Sequence, residues 1–65
     1  MNYEHLDPNK KDILIIDDMA DNLRVLSSIL TREGYNVRKA LNWQMAMTAT
    51  QTLLPDLILL DIMMP

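Results

Sequence analysis

The chain contains no cysteine, a single glycine and a single histidine among its 65 residues, and each shortage removes options. Without cysteine there is no disulfide staple and no thiolate metal site, and no redox compartment is legible. Lys and Arg total six against nine Asp and Glu, for a net charge of −3. The six do not cluster on one expected face, which argues against the electrostatic footprint of a nucleic-acid binder. No apolar run approaches bilayer-spanning length, and the N-terminus lacks the apolar stretch of a signal peptide. The expectation is a cytoplasmic protein with neither membrane nor nucleic acid as partner. What the chain has in quantity is apolar surface, 49% of its residues, so it is not compositionally disordered. One small domain of this length buries only about 60% of its unfolded surface, and its stability as a monomer is expected to be marginal.

Two stretches organise the rest. Ile13-Leu14-Ile15-Ile16-Asp17-Asp18 and Leu57-Ile58-Leu59-Leu60-Asp61 each run four apolar residues into carboxylate. Such a run reads as a strand buried on both faces, whose C-terminal end delivers its carboxylate to a crevice. If the strands lie side by side and parallel, Asp17, Asp18 and Asp61 converge at one end of a sheet. Two full charges about 5 Å apart at an effective dielectric of about 20 repel by roughly 3 kcal/mol, so three ionised carboxylates need a counter-charge. Hard oxygen donors, with no cysteine and one histidine, point to Mg2+ or Mn2+ rather than zinc. The alternative is that each aspartate ends its strand as a turn residue or helix cap.

The remaining segments complete a βαβαβ pattern. Met1 to Lys11 is polar and reads as a flexible arm in which His5 is solvated. Asp12 to Ile16 is the first strand. A helix is expected from Ala20 or Asp21, because Leu23, Leu26, Ile29 and Leu30 recur at helical spacing with Val25 widening the stripe. Gly34 is placed to cap it in the left-handed conformation. Asn22 reads as an exposed first-turn polar residue, with the rim of the acidic pocket as the alternative. Tyr35 to Lys39 alternates as an edge strand does, and Arg38 and Lys39 there would discourage edge-to-edge pairing. Asn42 is a fair N-cap for a second helix over Trp43 to Leu53, whose stripe of Met45, Ala46, Ala49, Thr50 and Leu53 is small and packs closely. Trp43 either folds back over that helix or marks a contact site. Pro55 ends the helical region, and Asp56 to Leu60 is the third strand. Right-handed crossovers with the alternating strand at an edge give a parallel sheet of order 2-1-3.

Taken together, Ile13-Leu14-Ile15-Ile16-Asp17-Asp18, Asn22-Leu23, Gly34-Tyr35-Asn36-Val37, Ala40 and Pro55-Asp56-Leu57-Ile58-Leu59-Leu60-Asp61-Ile62-Met63-Met64-Pro65 resemble the first half of a response-regulator receiver domain of two-component signalling, which has a doubly wound, flavodoxin-like α/β fold. The resemblance runs from about Asp12 to Pro65. It implies that Asp61 is the phosphoacceptor, that Asp17 and Asp18 hold Mg2+, and that the backbone carbonyl of Met63 is a further metal ligand. It also implies a histidine kinase or phosphotransfer protein as partner. Where the family often has glycine, this chain has Trp43.

The family's later hydroxyl-bearing residue and lysine have no counterpart among these residues. Read as a receiver domain truncated after its third strand, the chain is expected to have impaired or absent phosphotransfer. The same view leaves an apolar edge on the third strand, for which a homodimer pairing along that edge or exchanging elements is the simplest cure. Enzymatic activity would be self-phosphorylation at most. A phosphorylation-independent interaction protein of receiver shape is the alternative. A haloacid-dehalogenase-like phosphatase would need a second aspartate where this chain has Met63.

Overall fold

The strand and helix boundaries follow from where each backbone donor finds its partner. A computed structural model describes residues 6–60. Strand β1 is Asp12–Ile16, helix α1 Ala20–Arg32, strand β2 Asn36–Ala40, helix α2 Trp43–Thr52 and strand β3 Leu57–Leu60. The three strands are parallel in the order β2-β1-β3. This is the expected α/β topology, half of a doubly wound fold.

β1 is central, with Ile13 to Ile16 all at or below 3% exposure. Alternation sends its side chains to two layers. Ile13 and Ile15 meet Leu23 of α1, with Leu30, Val37 and Leu59 packed around them. Leu14 and Ile16 meet Ala40 and, from α2, Ala46 and Ala49. Each fully buried Leu or Ile contributes about 1.5–3 kcal/mol, so this one strand carries much of what holds the fold together.

α1 ends as expected on Gly34. Its φ is +98°, the Gly34 N–H donates to the Thr31 carbonyl and the Tyr35 N–H to the Leu30 carbonyl, each at 3.1 Å, which is the Schellman pattern. A Cβ built on Gly34 would meet no atom within 4 Å, so a substitution there is opposed by backbone conformation alone. Gly34→Ala is expected to lower stability by about 1–2 kcal/mol. A urea titration should show the midpoint fall with an unchanged slope, and an unmoved midpoint would contradict the capping role.

That cap also explains a shifted boundary. Tyr35 was expected to open β2, but its N–H is used by the helix end, and the ladder begins at Asn36, whose N–H donates to the Lys11 carbonyl at 2.9 Å. Similarly Asp56 stands just before β3: its N–H donates to the Asp12 carbonyl at 2.9 Å while its Oδ2 accepts from the Asp12 N–H at 2.7 Å. Of the segment expected as an arm, residues 6–11 include a turn held against β2. The Asp7 N–H donates to Asn36 Oδ1 at 3.1 Å, and Asn36 Nδ2 donates to the Asp7 carbonyl at 2.7 Å. α2 begins as expected on Asn42, whose side chain accepts from the Met45 N–H at 2.9 Å.

Three expectations about burial need correction. Arg38, expected as a solvated edge charge, is 4% exposed, and its Nη1 donates to the Ala49 carbonyl at 3.0 Å. α2 lies over the face of β2 that carries Arg38 and offers the negative end of its dipole to the guanidinium. The stripe on α1 is only partly covered, with Val25 and Ile29 each 50% exposed and Leu26 36%, because α1 lies mainly over β2 and β1. β3, composed like an interior strand, leaves Leu57, Ile58 and Leu60 between 43% and 51% exposed. Leu59 is the residue of β3 that packs into the cluster under α1, and among the described residues no strand pairs with the outer edge of β3. Trp43 is 54% exposed, half covered and half open to solvent.

Candidate functional site

In open parallel sheets ligands sit beyond the carboxyl ends of the strands, where neighbouring connections part. Here that place is the gap between β1 and β3. A cleft of about 300 Å³ opens there, lined by Ile15, Ile16, Asp17, Asn22, Leu26, Leu59 and Leu60. A larger hollow, about 420 Å³, lies at the other end of the sheet against Asp7, Lys10, Asp12, Asn36 and Asp56. Most of those groups are already joined by the hydrogen bonds that close the turn and the entries to β1 and β3, and the position is wrong for a strand-end site. The smaller cleft is therefore the candidate.

Asp17 is its charged member. The last register pair of β1 with β2 is Ile16 with Ala40, and the Asp17 N–H extends that ladder by donating to the Ala40 carbonyl at 3.1 Å. Its side chain is almost wholly buried at 4% exposure, which is costly for a carboxylate unless its oxygens are bonded. They are. Oδ1 accepts from the Met19 N–H at 2.9 Å, an Asx turn that steers the chain into α1, and Oδ2 accepts from Asn22 Nδ2 at 3.2 Å. The turn role considered from sequence is thus present, alongside a buried charge that a turn alone does not require. Asp18 is exposed.

Asn22 belongs to this cleft while remaining solvent-exposed, so both alternatives weighed from sequence describe it. The signal that finds it is helical spacing: Asn22 and Leu26 are four apart and share a face, and Leu26 lines the same cleft. Asp61 and Met63 lie outside the described residues. What can be placed is the register, in which Ile16 pairs with Leu60; the next residue along the chain from each is an aspartate.

The donor set fits a hard cation that keeps much of its water. Mg2+ is commonly held by one or two carboxylates with waters completing its octahedron, and Asp17 with Asp18 beside it can supply such ligands. Among the described residues no three His, Cys, Asp or Glu side chains gather into a protein-only cage.

The model of the response regulator receiver domain matches residues 13–65, which takes in both helices and all of the three strands but Asp12. The chain belongs to the response regulator receiver domain family. Over 53 residues it is 45% identical to the response regulator PleD of Caulobacter vibrioides, an alignment covering 82% of this chain and 12% of that protein. Over 60 residues it is 37% identical to the DNA-binding response regulator MtrA of Mycobacterium tuberculosis, covering 92% of this chain and 26% of MtrA. This receiver sequence therefore spans about a quarter or less of the length of these relatives. No solved structure gives a significant match. Among the described residues no helix of the receiver is long and apolar enough to cross a membrane.

Proposed function

We propose that this receiver sequence is a Mg2+-dependent phospho-acceptor module of two-component signalling, with Asp61 as acceptor and Asp17, Asp18, Asp61 and the Met63 carbonyl as metal ligands. The observation that carries the proposal is the register between β1 and β3, since strands that end level at Ile16 and Leu60 are each followed at once by aspartate. A histidine kinase, a phosphotransfer protein or a small acyl phosphate is the donor. An Asp61 carboxylate oxygen attacks phosphorus, the bond to the donor nitrogen or oxygen breaks, and its electron pair leaves with the donor, giving an aspartyl phosphate. The cation, when bound, neutralises charge on the transferring oxygens. Asp17 and Asp18 supply negative charge to hold it.

The 65 residues by themselves contain no counterpart of the family's later lysine and hydroxyl residue, and a missing preorganised cation removes a few kcal/mol of transition-state stabilisation. Self-phosphorylation by these residues alone is therefore expected to be slow, and Mg2+ binding is the more robust property. Calorimetric titration at millimolar Mg2+ should show binding that Asp61→Ala removes; no binding, or binding indifferent to Asp61→Ala, overturns the proposal.

A second possibility, a phosphorylation-independent interaction module, is favoured by one observation: the outer edge of β3 and the half-exposed Leu57, Ile58 and Leu60. Those features support a homodimer paired along β3 or exchanging elements. Incubation with acetyl phosphate and Mg2+ separates the two. Phosphate mapped to Asp61 by tandem mass spectrometry supports the acceptor, whereas an unmodified chain that still binds Mg2+ and doubles its mass in light scattering supports the interaction module.

A further inference from the structure

We infer that Asn22 is a positioning residue of the acidic site, a neutral donor that fixes the Asp17 carboxylate without cancelling its charge. The inference rests on the Mg2+ site proposed above. An aspartate carboxylate turns about a soft, roughly two-fold terminal torsion, so burial alone does not aim its oxygens. Here the Met19 N–H holds Oδ1 at 2.9 Å and Asn22 Nδ2 holds Oδ2 at 3.2 Å. That sets the carboxylate plane. Each ionised oxygen can accept about two bonds, so neither of these two donors by itself bars a ligand.

The two donors are unlike in origin. Met19 acts through its backbone and serves any residue at that position, whereas the Asn22 bond depends on the side chain that the first turn of α1 presents. The choice of an amide is chemically informative. Lysine or arginine at the same place would also donate to Oδ2, but would bring a fixed positive charge that competes with a metal ion for Asp17. A leucine would fill the space and donate nothing. Asparagine orients the carboxylate and leaves its full negative charge to the cleft it shares with Leu26, Leu59 and Leu60. Because Asn22 is exposed on a helix surface, its replacement is not expected to endanger folding.

The test uses the chain with Asn22 replaced by Leu, Lys or Gln, circular dichroism confirming the fold of each. Without metal, hydrogen exchange at the Met19 amide reports whether the carboxylate still sits over it. Protection should fall in Asn22→Leu and be retained in Asn22→Gln, whose longer amide can still donate. With metal, Asn22→Leu should weaken Mg2+ binding by about 10-fold, in the range found when an outer partner of a metal ligand is removed. Asn22→Lys should weaken it further, despite restoring a donor. Unchanged Met19 protection together with unchanged Mg2+ affinity in Asn22→Leu overturns the inference while leaving the metal site standing. Absence of Mg2+ binding in the unmodified chain overturns the metal site itself and the metal half of the inference, and Met19 exchange then decides the carboxylate-orienting half.

Discussion

Leu14→Ala is expected to destabilise the fold by about 2–5 kcal/mol, more than substitution at any half-exposed position. At about 0.05–0.15 kcal/mol per residue a chain of this length has roughly 3–10 kcal/mol in total, so the variant should lose a large share of its stability. The reason is local. Leu14 is fully buried in the middle strand, on the face where α2 presents Ala46 and Ala49. Alanines have no side chain to swing into the space a lost isobutyl group leaves, so the cavity persists. Its register partner on β3, Ile58, makes the control. Ile58 is 46% exposed, and Ile58→Ala should cost roughly 1 kcal/mol at concentrations where light scattering shows a monomer. Urea denaturation of both variants decides the matter: equal losses in the monomer would contradict a bare β3 face, whereas an Ile58→Ala penalty that grows with concentration is what pairing along β3 predicts.

Asp17→Asn is expected to remove Mg2+ binding and at the same time stabilise the metal-free fold. Loss of a ligand should weaken the metal by at least about 100-fold, the upper end of what an outer partner alone is worth. Stability should move the other way. A carboxylate at 4% exposure has given up most of its hydration, and a second carboxylate within about 5 Å would add roughly 3 kcal/mol of repulsion at an effective dielectric near 20. Asparagine keeps an oxygen for the Met19 N–H, keeps the shape and drops the charge; its amide nitrogen then stands where Oδ2 accepted from Asn22, and the exposed Asn22 amide can turn over to present its oxygen instead. Such opposition between stability and activity is the usual mark of a functional charge. Thermal unfolding without metal should show a higher midpoint for Asp17→Asn, and Mg2+ should raise the midpoint of the unmodified chain but not of the variant. A lower midpoint in the variant would show that Asp17 serves the turn into α1 and little else.

How far the sequence spoke for the structure depends on the kind of signal. The apolar runs that became β1 and β3, the helical spacing of Leu23 and Leu30, the glycine at position 34 and the asparagine at position 42 are local signals, and they placed the elements within a residue of their bounds. The order β2-β1-β3 followed from handedness and from which strand alternates. What stayed hidden depends on which surfaces meet. Nothing in the alternation of β2 says that α2 will lie over Arg38 and bury it. Nothing in the stripe of α1 says that the helix packs on β2 and β1, leaving Val25 and Ile29 half in solvent. Asn22 was legible as a polar residue of a first turn, but its bond to Asp17 spans five residues and a change of direction, which no periodicity encodes. Of the acidic site itself, Asp17 is where the sequence put it, at the end of the central strand.

If Asp61 joins Asp17 and Asp18 around one cation, substoichiometric Mn2+ should report it through the broadening of nearby amide signals. The signals of residues 17, 18 and 61 should vanish together at the lowest metal concentration, with those at the opposite end of the sheet, Asp12 and Asp56, untouched. An Asp61 amide that stays sharp while Asp17 and Asp18 broaden would contradict the claim.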